Sequence, residues 1–202
     1  MAVNRIDPQS TALLLIDLQN DALHPEGAYG RAGLICEALS ALPARILPLA
    51  QALRRRGGWV AATHFTILEG KQGKPLITEH TRQLRPFLKQ GDFLKGSWGH
   101  ALVDRLSEVD LDIDKFTPSA FEMSPLEWAL RQIKVDTLLL AGMTTPVSVA
   151  ATLRDALQRD FRVIVLEDGV AALDPKQNST ALSEMAALTM VRTCADTTAL
   201  IG

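Results

Sequence analysis

The chain has 202 residues, 47% of them hydrophobic and 22% charged, so it can bury one sizeable core and is not an intrinsically disordered chain. Its net charge of −2 gives no reason to expect nucleic acid or a membrane surface as a partner. The two cysteines, Cys36 and Cys194, form no Cys-x-x-Cys pair and lie in apolar stretches, so they read as buried free thiols of a reducing compartment, and a cytoplasmic protein is expected.

Residues 1–19 hold too short an apolar run for a signal peptide or a membrane span. Within them TALLLID (11–17) is continuously apolar up to Asp17, the pattern of a strand covered on both faces. Over 38–56, Leu39, Leu42, Ile46, Leu49 and Leu53 recur at helical spacing. Arg54-Arg55-Arg56 before Gly57-Gly58 reads as cations at that helix's C-terminus with a glycine cap. WVAATH (59–64) is a second strand and LDIDKF (111–116) a third.

Between these two strands, 65–97 is the one long irregular piece, and long loops in folded domains are commonly lids or binding loops. It carries Lys71, Lys74, Arg82, Arg85, Lys89 and Lys95 against Glu69, Glu79 and Asp92. That excess suits an anionic substrate or simply a solvated loop, and composition alone favours the second. SPLEWALRQI (124–133) predicts a helix with Ser124 as N-cap and Pro125 in its first turn. TLLLAG (137–142) is a fourth strand, followed by a helix over 147–159 with Val149, Leu153, Ala156 and Leu157 on one face. RVIVLED (162–168) is a fifth strand, 176–188 a helix, and MVRT (190–193) a short last strand.

Strand and helix in alternation predict parallel strands joined by right-handed crossovers. The expected fold is α/β: one domain over 1–202, three-layer and doubly wound, with a mostly parallel sheet and helices on both faces. Ligands of such sheets bind beyond the carboxyl ends of the strands. The polar residues there are Asp17, His64, Lys115, Ser148 and Asp168. Each alone has an ordinary reading: a turn cap, a structural histidine, a lysine paired with Asp114, a serine favoured in a first helical turn, and a turn residue, which is how Asp168 is kept. Together they make a polar strand-end cluster, and the helix start after the fourth strand offers backbone N–H groups to an oxyanion.

Three ordered segments then carry a resemblance: LLLIDLQNDALHPEGAYGRAG, DKFTPSAFEMSPLEWALRQ and LLLAGMTTPVSVAATLRDA, followed by RVIVLEDGVAA. They resemble the isochorismatase-like family, or cysteine hydrolase superfamily, over almost the whole chain. The resemblance implies that Asp17 is the catalytic acid/base and Lys115 its electrostatic partner. It also implies a cis peptide at Met143–Thr144 and an oxyanion hole from the backbone N–H groups of Thr144 and Ser148. One residue departs: Ser148 stands where the family's hydrolases have cysteine, while Gly142, Thr145, Val149 and Thr152 around it still match.

Cysteine suits the reaction because its thiol is intrinsically nucleophilic and ionises readily near cations and helix N-termini. A serine hydroxyl is far less acidic, and Asp17 is a weak base for it. Ser148 is therefore either a deliberate, engineered Cys-to-Ser exchange made to capture bound substrate, or a natural variant that needs no nucleophile. True isochorismatases are of the second kind and cleave a vinyl ether with the aspartate as general acid. The intact flanking motif favours the first.

The implied activity is hydrolysis of a C–N bond in a small amide, carbamoyl or ureido compound, with little or no turnover by the serine form. The alternatives are a nucleophile-free vinyl-ether hydrolase and a catalytically silent ligand-binding relative. Tyr29, Phe65, Trp98 and Phe121 are candidate pocket walls, each equally compatible with the core. The nicotinamidase branch binds a metal through an Asp-x-His, but Ala62 occupies the aspartate's place and His64 has only His80 nearby, so no metal or other cofactor is expected. A homo-oligomer is expected from the resemblance.

Overall fold

The run over 12–16 is apolar at every position because both faces of the strand it belongs to are covered. A computed structural model describes residues 5–202. In chain order the strands are β1 (Thr11–Ile16), β2 (Trp59–Phe65), β3 (Leu68–Glu69), β4 (Pro75–Leu76), β5 (Leu111–Lys115), β6 (Thr137–Met143), β7 (Arg162–Ala171) and β8 (Met190–Arg192). The helices are α1 (Asn20–Leu23), α2 (Ala28–Arg31), α3 (Glu37–Ser40), α4 (Leu42–Arg55), α5 (Glu79–Leu84), α6 (Leu126–Gln132), α7 (Ala150–Gln158), α8 (Pro175–Ala186) and α9 (Cys194–Leu200). Six strands form one sheet in the order β5-β2-β1-β6-β7-β8, every pairing parallel, as the alternation of elements predicts.

Successive residues of β1 feed two different cores, because side chains alternate across a strand. Leu13 and Leu15 pack with Ile46, Leu49 and Leu53 of α4 and with Cys194 at the start of α9. Ala12, Leu14 and Ile16 pack with Leu126 and Leu130 of α6, Leu153 and Ala156 of α7, and Met185 of α8. Each fully buried leucine or isoleucine contributes about 2 kcal/mol by leaving water.

The chain runs from β1 outward to β2 and β5, then returns to build β6, β7 and β8 on the other side of β1. The crevice of this sheet therefore opens between the carboxyl ends of β1 and β6. Gly142 makes the close approach there possible: its φ is +130°, and a Cβ on it would lie 2.1 Å from the backbone oxygen of Ile16.

Several local expectations shift. The helical stretch at 38–56 divides into α3 and α4, and Pro48 does not break α4, whose apolar stripe is buried. Ser124 lies one residue before the cap position, and its Oγ accepts from the Leu126 N–H at 3.2 Å. The helix expected from 147 starts at 150, after a wide π-type turn over Thr145–Val149. Asp168 is not a turn residue: β7 continues to Ala171 across a register shift against β6, and Asp168 Oδ1 accepts from the Cys194 N–H at 2.7 Å.

The stretch over 65–97 is not structureless. It holds the β3–β4 hairpin and α5, whose cap Thr78 accepts from the Thr81 N–H at 3.1 Å. Helix α9 was not anticipated. Both thiols are free, Cys194 buried but Cys36 only half-buried. The reading of the N-terminal stretch falls in part on residues 1–4, outside the described residues; among those described, no helix is long and apolar enough to cross a membrane.

Candidate active site

Asp17 is the first residue beyond β1. It takes a left-handed conformation (φ +57°), which aspartate tolerates better than most residues, and its N–H donates to Thr63 O of β2 at 3.0 Å. Beyond Leu18, the segment Gln19-Asn20-Asp21 is polar yet buried because it ties the surrounding loops together. Gln19 Nε2 donates to Phe65 O (3.1 Å) and His100 O (3.0 Å), and Asn20 Nδ2 to Trp98 O (2.9 Å). Asp21 accepts from the Ala28 N–H at 3.0 Å and the Phe93 N–H at 2.6 Å. These bonds hold Tyr29 on α2 and Phe93 on its loop against each other and Phe65, as an edge-to-face aromatic wall.

Lys115 ends β5, with β2 lying between it and β1. Its stem spans that gap, and the side chain is 0% exposed. Nζ lies 2.8 Å from Asp17 Oδ2 and donates to Thr117 O at 3.0 Å and Pro118 O at 3.2 Å. Two of the three ammonium donors are thus held by backbone carbonyls, and the contact with Asp17 is an ion pair. The expected partner Asp114 points the other way and pairs with Lys95 instead. Ser148 lies in the turn that precedes α7, buried, and its Oγ donates to Asp17 Oδ2 at 3.1 Å. Thr63 Oγ1 reaches the carboxylate's other oxygen at 3.4 Å. Three residues far apart in sequence thus meet on one carboxylate. The peptide bond between Met143 and Thr144 is cis.

A pocket opens over this group. Asp17, Lys115, Thr144 and Ser148 are in its lining, as are Tyr29 and Phe65. Trp98 and Phe121 are not. Trp98 is half exposed and packs edge-on against His24, because Asn20 holds its backbone at the outer side of the loop. Phe121 belongs to the core under α6 and α7, against Phe161 and beneath the Arg159 guanidinium. Arg85, Phe116 and Val147 line the pocket and were not anticipated as walls. For Arg85 the cationic excess of the 65–97 stretch was the available signal.

His64 faces away from the pocket. Its neighbour is His100 rather than His80: the rings stack at 4.9 Å and Nδ1 lies 2.8 Å from His100 O. His64 Nε2 is 2.5 Å from Asp112 Oδ1, though not aligned as a hydrogen bond. Burial, chiefly, pushes the His100 imidazole down. Asp114 beside it is pushed up by burial, but the hydrogen bond and charge of Lys95 outweigh this and hold its carboxyl below the usual range.

A family model for the isochorismatase domain matches residues 11–198. The ureidoacrylate amidohydrolase RutB of Methylobacterium radiotolerans is 33% identical over 185 residues, covering 85% of this chain and 70% of its own length. The fold is similar to that of a cysteine hydrolase from Pseudomonas syringae pv. phaseolicola 1448A, with a TM-score of 0.82 at 25% identity over 98% of this chain and 96% of that one. It is also similar to nicotinamidase PncA from Bacillus subtilis, with a TM-score of 0.74 at 26% identity over 91% and 99% of the two chains. Family match, relatives and sheet agree, and the chain belongs to the isochorismatase family.

Proposed function

We propose that this protein binds a small amide or ureido compound in the pocket over Asp17, and that Asp17, Lys115 and residue 148 are its catalytic group for C–N hydrolysis. The observation that carries this reading is the convergence of Lys115 Nζ and Ser148 Oγ on Asp17 Oδ2, at 2.8 Å and 3.1 Å. A nucleophile, a proton acceptor within hydrogen-bond reach and a cation balancing that acceptor are what acyl transfer needs. The relatives named for ureidoacrylate hydrolysis and nicotinamide hydrolysis support the same bond type.

With cysteine at 148 the steps balance as follows. Asp17 takes the Sγ proton as sulfur attacks the carbonyl carbon. The tetrahedral oxyanion is held by the Thr144 and Ser148 backbone N–H groups. As it collapses, the C–N bond breaks and Asp17 returns the proton to the leaving nitrogen. Water then attacks the thioester, giving one proton to Asp17, and the thiol is regenerated when Asp17 passes that proton back. Lys115 keeps the carboxylate in place and neutralised throughout. With serine the first step stalls, because a carboxylate is a poor base for a hydroxyl, so the chain holds substrate and releases product slowly.

The test is ammonia release from a panel of small amides and ureides. Ser148→Cys is expected to raise turnover by at least ~10³, about 4 kcal/mol of barrier. Equal rates in both forms, or no ammonia from the cysteine form, overturn the reading. The serine itself favours one rival, a nucleophile-free vinyl-ether hydrolase with Asp17 as general acid. That enzyme cleaves a vinyl ether as it stands and gains nothing from cysteine.

A further inference from the structure

The charged side chains lining the pocket are Asp17, Lys115 and Arg85. Asp17 and Lys115 neutralise each other at 2.8 Å, so the pocket carries one surplus positive charge, on Arg85. Among the described residues Arg85 forms no ion pair. Its guanidinium carbon stands 5.3 Å from the centre of the Phe65 ring, and Lys115 Nζ stands 5.8 Å from the same centre. Both cations stand against one aromatic ring, so the surplus cation lies within the span of a small molecule from the reacting group.

Tyr29 completes this end of the pocket. Burial, chiefly, pushes its phenol up, and the charge and hydrogen bond of the neighbouring Arg85 guanidinium pull against that without cancelling it, so the hydroxyl keeps its proton. Apart from Thr81, one turn before Arg85, the wall includes the apolar side chains of Phe65, Phe93, Phe116 and Val147. A guanidinium is a planar fork of donors that matches a carboxylate with two parallel hydrogen bonds, and an apolar surround strengthens that match. One surplus charge fits a monoanion and leaves a phosphate monoester half-matched.

We propose that Arg85, with the Tyr29 hydroxyl, anchors the carboxylate of the substrate, so that the pocket selects amides or ureides bearing a carboxylate a few bonds from the carbonyl that is attacked. This rests on the hydrolase reading for the identity of that carbonyl, but the anchor is measurable by binding alone. Arg85 is a specificity residue: it sets which amide is held and takes no proton.

The test is calorimetric titration of the chain with serine at 148, using 3-ureidopropionate and its uncharged methyl ester as probes. The acid is expected to bind at least about tenfold more tightly than the ester. Arg85→Gln is expected to bring that ratio close to one, Arg85→Lys to keep part of it, and Tyr29→Phe to reduce it a few-fold. Because the readout is a ratio, a general loss of folded protein does not imitate the result. A ratio near one in the parent, a ratio unchanged by Arg85→Gln, or no binding of either probe overturns the anchor. Ammonia release by the Ser148→Cys form separates the two readings. Turnover of neutral amides with indifference to charge sinks the anchor and leaves the hydrolase. An acid preference lost in Arg85→Gln, with no ammonia from any amide or ureide, sinks the hydrolase and leaves the anchor.

Discussion

Strand β5 carries ionisable groups on both of its faces, and the two faces behave differently. Toward the pocket, Lys115 reaches Asp17 with its own side chain fully buried and two of its ammonium donors on backbone carbonyls. One residue earlier on the same strand, Asp114 faces outward and meets Lys95, His100 and Thr66 in a cluster whose lysine is largely exposed. Adjacent residues of a strand point to opposite sides, so a single step along the chain exchanges a buried ion pair for a solvated one. Breaking a buried pair leaves a charge that water cannot reach, whereas breaking an exposed one returns both partners to water.

The largest effect is therefore expected at Lys115. In the Ser148→Cys protein, Lys115→Ala should abolish most ammonia release and cost about 3–5 kcal/mol in chemical denaturation, because Asp17 is left buried and uncompensated. Adding Asp17→Asn should recover much of the stability and none of the activity. If the single variant is as stable as its parent, the pair is not the buried one described.

His100 gives a middle-sized test. Its folded-state imidazole is pushed down from 6.5, so the folded protein favours the neutral form. The stability this brings is complete above that ordinary value and is lost as pH falls below it toward the folded value. Thermal melts from neutral to mildly acid pH should show a decline that His100→Gln flattens; identical slopes would remove His100 as its source.

Lys95→Ala should do least, lowering the denaturation midpoint at neutral pH only slightly because the pair is largely exposed. Asp114 is depressed in the folded state, so its contribution is present above the ordinary carboxylate range and lost as pH falls through the lowered value. The variant should fall slightly below its parent at neutral pH and converge with it on the acid side. A large loss at neutral pH would mean that the outer cluster is as closed as the inner one.

The sheet was legible because its signal is local. A run such as TALLLI is buried on both faces whatever else the chain does, and β1 begins and ends within a residue of the expected bounds. Strand exits were legible for the same reason, which put Asp17, Lys115 and Ser148 at one edge. The walls were harder. Phe121 and Phe65 look alike in sequence, yet one fills the core under α7 and the other faces the pocket. Asp168 looked like a turn because the shift in register that carries β7 past it depends on the neighbouring strand.

What the sequence by itself determined is the alternation of strands and helices, the doubly wound sheet, and the candidate residues at its carboxyl edge. All of these follow from periodic burial, which each segment encodes within its own few residues. Only the tertiary structure decided that Lys115 passes β2 to reach Asp17 while Asp114 turns outward, and that Arg85 enters the pocket beside Tyr29. The physical reason is that a charge's role depends on which groups pack against it and on how far water is excluded. Those neighbours come from β1, β2, β5 and the stretch around α5, which meet only when the chain folds.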